Sequence, residues 1–430
     1  MAYVSRAILQ MQDPRKASNA TRYRLSDAVL GAFSVFFMQS ESFLEHQRHL
    51  ESHQGKSNAQ TLFEMLQIPS VPQIRNILDA LPATGLFGIF HYVYQGLQQG
   101  GHLKAFDFLG GLLIALDGTE YFNSQKIHCE SCSSRTHKNG SVTYFHGAIL
   151  PVIVAPEQSQ VISLAPEFIT PQDGHEKQDC EVAAAKRWVA THASTFVGQP
   201  ITLLGDDLYS HQPMCEAILA AGMNFIFTCL PNSHPALYDW LTYLQEIGEV
   251  QTFQVKQWNK NIREVYQYRY VNGIPLRDAQ PALNVNWCEM TLTREADGKV
   301  LYQNAFCTSH LLTVQTVALV ATAGRCRWKT ENENHNVLKT KGYHLEHNFG
   351  HGQNHLAACL LTLNLLAFLF HTVLHLTDSE YQQIRQKRGT RKGFFQDILS
   401  LTKYLLFDSW QSLIEFMLYG STLIRTANSS

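Results

Sequence analysis

The chain has 430 residues, 45% of them hydrophobic and 16% charged, with a formal net charge of −2. That length exceeds one ordinary domain and can bury a large core, and the composition excludes a disordered or collagen-like chain. A near-neutral balance excludes a globally basic nucleic-acid binder, so any DNA surface must be a local patch.

Nine cysteines, an odd number lying mostly within apolar runs, fit a reducing cytoplasm better than a disulfide framework. The opening MAYVSRAILQMQDPRKAS lacks the long apolar core of a signal peptide.

Residues 1–105 read as mostly helical. Ser26-Asp27 reads as the cap of one helix running through AVLGAFSVFFMQSESFLEHQRHL, followed by helices from Gln73 to Leu81 and from Leu86 to Gln98. Arg6, Arg15, Lys16, Arg22 and Arg24 would give this region a basic edge for DNA. A helical bundle with solvated cations explains the same residues equally well.

Residues 106–233 alternate strands and helices. The strand GGLLIALD ends on Asp117, and SVTYFHGAILPVIVA and QVISLAPEFI read as the next two strands. Asp179 then caps the helix CEVAAAKRWVATHAS. The acid-rich entry to that helix leaves a weaker site role open for Asp173 or Glu181. ITLLGDDLY is a second buried strand ending on acids, Asp206 and Asp207, and a helix from Pro213 to Ala221 leads to the strand NFIFTCL. A meander of strands followed by helix, strand, helix, strand is the order of a ribonuclease H-like mixed sheet flanked by helices. In that order Asp117 and Asp206 meet at the ends of adjacent strands.

Residues 234–313 change to short alternating strands with hairpin signals at Asn272-Gly273 and Asp297-Gly298, a β-rich insertion. Residues 314–378 return to the core through a helix over Arg325 to Lys339, which carries Glu331. They continue into Leu356 to Leu376, whose length approaches that of a membrane span. Asn364, His371 and His375 interrupt that run, so a buried core helix is expected and no membrane. Residues 379–430 form a basic helical segment in which IRQKRGTRKG precedes the last helices.

Two strand-end aspartates and one helix glutamate suit a divalent-metal site that breaks and joins phosphodiesters. Asp206 competes with Asp207 for one place and Glu331 with Glu333 for another; residues two apart on a helix face different ways. A strand-end turn beside Gly118 is the ordinary explanation of Asp117 taken alone. Cys129 and Cys132, followed by His137 and His146, have the pattern of a structural zinc site with His128 as a further candidate. The alternative is a polar loop with incidental cysteines. Histidines 344, 347, 351 and 355 recur near helical spacing, but Gly350 and Gly352 argue for a loop that approaches the active site or a DNA backbone.

LDGT around Asp117, GDDLY around Asp206, RWKTE ending on Glu331, and YHLEHNFGHG together resemble the bacterial insertion-sequence transposases of the DDE class, in the branch with a β-strand insertion. The resemblance covers about residues 105–375. Arg327 and Glu331 fit that branch's pattern, whereas Gly324 stands at its tyrosine position and Leu338 at its lysine position, one before Lys339.

The resemblance implies Asp117, Asp206 and Glu331 as catalytic ligands of two Mg2+ or Mn2+ ions. It also implies double-stranded DNA as partner, both element ends and target, and a homo-oligomer assembled on that DNA in the bacterial cytoplasm. Arg327, Lys339, Arg385, Lys387, Arg388, Arg391 and Lys392 are the candidate DNA contacts. The alternatives are a derivative with a decayed active site that still binds DNA and, more remotely, a membrane or metal-handling protein.

Overall fold

A computed structural model describes residues 2–11, 13–15, 22–171 and 177–427. The chain enters its sheets through β1 (Asp107–Phe108) and β2 (Gly111–Ala115), joined by a tight turn in which Leu109 and Gly110 both have positive φ. β2 is buried at all positions because it has a neighbour on each edge and packing on both faces, which removes any need for alternation. Then follow β3 (Gly118–Ser124), β4 (Ser133–Thr136), β5 (Val142–Ile149), β6 (Val152–Val154), β7 (Ile162–Ser163), β8 (Glu167–Ile169), β9 (Ile201–Gly205) and β10 (Asn224–Thr228).

The strands form two sheets. The larger has the order β11-β12-β13-β14-β10-β9-β2-β6-β7, with β1 beside β2, where β11 is Gln251–Asn259, β12 Ile262–Pro275, β13 Asn284–Arg294 and β14 Val300–Thr308. The smaller has β3 and β4 on either edge of β5, with β8 also paired to β5. The result is a mixed α/β architecture, a mixed sheet flanked by helices.

The second and third early strands expected from the sequence are each broken in two, one half in each sheet, and the first, β2, is followed directly by a strand of the other sheet. Pro151 and Pro166 have no N–H to continue a ladder, and the chain changes sheet at both. The remaining break lies at Leu116-Asp117, so β3 continues where the sequence suggested a polar turn. There Leu150 donates its N–H to the Asp117 carbonyl at 3.1 Å, holding the crossover in register.

Strands β11–β14 are antiparallel neighbours, and β14 pairs with β10, so they extend the larger sheet. Asp297-Gly298 turns as expected, with Gly298 at φ 66°. Asn272-Gly273 does not form a hairpin: it lies inside β12, where the register shifts between Val271 and Ile274 and Gly273 takes φ 73°. The helix Pro235–Glu246 precedes these strands in a region the sequence suggested was all strand.

The first long N-terminal helix is two helices, Leu25–Phe37 and Phe43–Leu50, broken where Gln39 takes φ 52°. Ser42 caps the second through the Glu45 N–H at 3.1 Å. Asp27 is no cap: it is buried in the first turn and accepts the Leu66 N–H at 2.8 Å. The expected second and third helices form as Val71–Asp79 and Phe87–Gln99, and Gly55–Phe63 is an additional one.

Leu25–Phe37, Val71–Asp79 and Phe87–Gln99 pack around Leu356–Thr377, which also carries Ser379–Arg388 on its far end. That segment is long and apolar enough to cross a membrane, yet 78% of its most apolar window is buried inside the protein. Helix Val317–Arg325 packs against β9, β10 and β13.

Inside the N-terminal bundle His46 is buried between two hydroxyls, Ser34 Oγ at 2.7 Å from Nε2 and Ser40 Oγ at 2.8 Å from Nδ1. Burial, helped by His49, lowers its pKa to about 3. Because the folded value lies below the unfolded one, stability is fully present above about pH 6.5 and falls as acid approaches pH 3. The expected slope from this residue is about 1.4 kcal/mol per pH unit. Denaturant titrations across that window should show a shallower acid limb in His46→Gln; an unchanged slope would refute the assignment.

Asp79 caps the long helix from another element. Its carboxylate accepts the N–H groups of Gln353, Asn354, His355 and Leu356 at 3.0 to 3.2 Å. Gly352, at φ 71°, is required beside it, since a Cβ there would lie 2.2 Å from Asp79 Oδ1. Burial raises the Asp79 pKa, but the four backbone donors outweigh it and hold the group below its ordinary value. Its stabilisation is therefore present at neutral pH and lost as pH falls through the depressed folded value. Asp79→Ala should cost about 1–3 kcal/mol in urea unfolding near neutral pH, with Asp79→Asn recovering part of the loss.

Candidate functional site

The site begins with two parallel strand ends. Leu112 to Ala115 of β2 run beside Ile201 to Leu204 of β9, and Leu116 donates its N–H to the Leu204 carbonyl at 2.9 Å. Asp117 and Asp206 therefore leave the sheet side by side. Gly205 lets this end close tightly, because a Cβ would meet the Tyr209 ring at 2.7 Å and the Phe227 ring at 3.1 Å. Tyr209 is fully buried and donates its hydroxyl to Glu181 Oε1 at 2.8 Å.

Glu181 is the neighbour that sequence reasoning gave only a weak role. It lies on the helix Lys177–His192, and its carboxylate reaches the start of β3: a Cβ on Gly118 would come within 2.6 Å of it. The glycine after Asp117 thus leaves room for a further acid. Asp179, expected to cap this helix, lies inside it, and its side chain and Asp173 fall outside the described residues.

Burial pushes the Asp117 carboxyl up to about 7, reinforced by the charges of Glu181, Asp206 and Glu331 and opposed by Arg327. Burial likewise raises Asp206, which caps the following turn through the Leu208 N–H at 3.0 Å; Arg327 again lowers and Glu331 raises it. Asp207 points elsewhere. It accepts the Leu230 N–H at 2.7 Å and the Ser233 hydroxyl, and lies 3.8 Å from His234.

Glu331 sits on a π-helical stretch, Thr330–His335, where the sequence suggested continuous α-helix. Such turns occur often at functional sites. Thr330 Oγ1, both amide atoms of Asn334 and His335 Nε2 are buried there without a hydrogen-bond partner. His335 Nδ1 lies 3.5 Å from Asp117 Oδ2, and burial, with Lys339, lowers the imidazole to about 4, so it is neutral at pH 7. Its position depends on the extra residue in the turn, which no periodicity in the sequence announces.

Among the described residues, no three of the acids have ligand oxygens all within 4.8 Å of one another. Asp117 and Asp206 leave adjacent strand ends, while Glu331 does not close a three-acid cluster with them. Glu331 is half-exposed and turns onto Arg327, whose Nη1 donates to Oε1 at 2.7 Å. Gly324 and Leu338, at the positions of tyrosine and lysine in the related pattern, are both buried in packing. A Cβ on Gly324 would meet Phe306 at 2.7 Å, and Leu338 is fully covered.

A second cluster does converge: Cys129, Cys132, His146 and His351 hold their ligand atoms within 4.8 Å of one another and could bind a metal. Three of the four are as expected. His137 is not part of it; it lies in an exposed turn with Nε2 2.8 Å from Thr143 Oγ1. His128 stacks on Tyr144 instead, with ring centroids 4.3 Å apart. The fourth member, His351, comes from the glycine-flanked loop before the long helix, and only folding brings it to the cysteines.

Most of the cations proposed for DNA are engaged within the protein. Lys339 pairs with Glu346 at 2.9 Å, Arg388 with Asp397 at 2.7 Å, and Arg391 donates to Tyr343 Oη at 2.6 Å. Arg385 is half-buried over the Phe394 ring and donates to the Thr390 carbonyl. Lys387 and Lys392 are exposed, as are Arg6, Arg22 and Arg24 at the other terminus. Arg15 pairs with Asp13 at 2.6 Å, and Lys16 lies outside the described residues.

No known family model and no curated protein matches this chain.

The acid pocket and the Cys/His cluster differ in chemistry. The pocket offers hard carboxylate oxygens at a buried strand edge, with more negative charge than Arg327 alone neutralises, which suits Mg2+ or Mn2+. The cluster offers two sulfurs and two imidazole nitrogens, which suits zinc.

Proposed function

We propose that this chain is a DNA transposase with a ribonuclease H-like core, cutting the ends of a mobile element and joining them to target DNA. The observation that carries the reading is the acid pocket: Asp117 and Asp206 leave adjacent parallel strands into a partly buried site, where Asp117 is pushed up to about 7 by burial and by Glu181, Asp206 and Glu331.

Asp117, Asp206 and Glu331 are the residues that would hold two divalent cations. Such ions supply activation of the attacking oxygen and stabilisation of the leaving one. Arg327 balances the acids and stands ready for a DNA phosphate when Glu331 turns inward. Glu181, fixed by the Tyr209 hydroxyl, keeps the pocket charged and orients its wall. Lys387, Lys392, Arg6, Arg22 and Arg24 are the exposed cations available for DNA phosphates, and assembly of two or more copies on DNA brings the two element ends together.

The test is nicking and strand transfer by the purified chain on DNA carrying the sequences that flank its own gene. Activity should appear with Mg2+ or Mn2+ and vanish in EDTA. Binding of those ends without cutting, in every divalent metal tried, would favour the decayed derivative.

A further inference from the structure

The Cys/His cluster stands outside the acid pocket, and its geometry can be compared with a zinc tetrahedron edge by edge. Zinc bonds of about 2.3 Å to sulfur and about 2.0–2.1 Å to nitrogen, at tetrahedral angles, imply edges near 3.8 Å for S–S, about 3.6 Å for S–N and about 3.3 Å for N–N. The protein has Cys129 Sγ to Cys132 Sγ at 3.9 Å, and Cys129 Sγ to His146 Nε2 at 3.6 Å. Cys132 Sγ lies 3.4 Å from both His146 Nε2 and His351 Nε2, and the two imidazole nitrogens are 3.1 Å apart. An S–S separation of 3.9 Å is far too long for a disulfide.

Two further features belong to a ligand set. His351 Nδ1 lies 2.7 Å from the Gly352 carbonyl, so Nδ1 carries the proton and Nε2 presents its lone pair to the cluster. Both imidazoles are buried, His146 stacking on Tyr121 and His351 packing on Phe122. Two thiolates and one Zn2+ sum to zero charge, which suits such surroundings. Metal uptake would release two thiol protons to solvent.

We propose that Cys129, Cys132, His146 and His351 form a closed, structural zinc site that staples the small sheet to the loop preceding the long core helix. Its position gives the reason for it. His146 lies on β5, which is hydrogen-bonded to β3, the strand that begins directly after Asp117. His351 lies between the turn bearing Glu331 and the helix Leu356–Thr377, on a loop also held by the Arg75 donation to the Phe349 carbonyl and by the Asp79 cap. The zinc would thereby tie the strand that follows Asp117 to the segment that follows Glu331. All four protein ligands fill the tetrahedron, so no position remains for water or substrate, and the site does no chemistry.

The experiment is metal analysis and cobalt spectroscopy on the full-length purified protein. About one zinc per chain should survive dialysis. Replacement by Co2+ should give the intense visible bands of a tetrahedral ion together with thiolate-to-cobalt charge transfer. His351→Ala and Cys132→Ser should lose the metal, and His137→Ala should keep it in full. His351→Cys should retain the metal and strengthen the charge-transfer band, a result that holds even if the alanine variant fails to fold. A folded wild-type chain that contains no zinc and gives no thiolate–cobalt band would overturn the proposal. So would loss of metal in His137→Ala with retention in folded His351→Ala. Metal content and spectrum do not depend on DNA cleavage, so this site stands or falls apart from the transposase reading.

Discussion

Asp117→Asn should abolish metal-dependent cleavage, by at least about 10²–10³-fold, the range in which removing one preorganised electrostatic group acts. In cation-free buffer the same change should raise thermal stability at pH 8. The physical reason is the folded carboxyl at about 7 against an ordinary value of 3.8. A raised folded value means that stability is full below the unfolded pKa and declines as pH rises to 7. Above that, the wild type carries a buried charge among Glu181, Asp206 and Glu331, at a cost on the order of 4 kcal/mol. Asparagine carries none. The gain should therefore grow between about pH 4 and 7 and then level off, as thermal melts at pH 4.5 and pH 8 in EDTA would reveal. Excess Mg2+ should reverse the order by stabilising wild type and leaving Asp117→Asn unmoved. A variant less stable than wild type at pH 8 without divalent ions would refute the account of the pocket.

Glu331→Gln should reduce cleavage by about 10²-fold or more, while Glu333→Gln stays near wild type. The two lie two positions apart on the π-helical stretch, and Glu331 is the one whose charge reaches both Asp117 and Asp206. Glutamine at 331 also releases Arg327 from its 2.7 Å partner. That pair is half-exposed and should contribute little to folding, at most about 1 kcal/mol. Activity and stability therefore separate here: single-turnover cleavage should collapse while the urea midpoint barely moves. Equal loss in both variants would mean that the helix matters only as scaffold.

Lys387→Glu and Lys392→Glu should weaken binding to DNA in a gel-shift assay if the proposed phosphate contacts are right. They are exposed, in contrast to Arg385, Arg388 and Arg391, which hold protein partners, so substitution there leaves the packing intact.

Local sequence determined a good deal of this protein. The unbroken apolar runs before Asp117 and Asp206 make buried strands whatever surrounds them, and their parallel pairing follows from strand and helix order. Alternation and the Asp297-Gly298 turn produce the long hairpins, and polar residues within Leu356–Thr377 mark it as a core helix. Cys129 and Cys132 mark a candidate metal pair by spacing alone.

Only the tertiary structure decided the rest. The breaks at Leu116-Asp117, Pro151 and Pro166 arise because one chain serves two sheets, which no window of residues can reveal. Glu181 enters the acid pocket through the space left by Gly118 and the bond from Tyr209, contacts between distant segments. The π turn sets His335 toward Asp117 by one extra residue that a 3.6-residue pattern cannot encode. His351, not His137, completes the cysteine cluster because metal-ligand geometry depends on distance in space, and folding returns the loop before the long helix to the start of the small sheet.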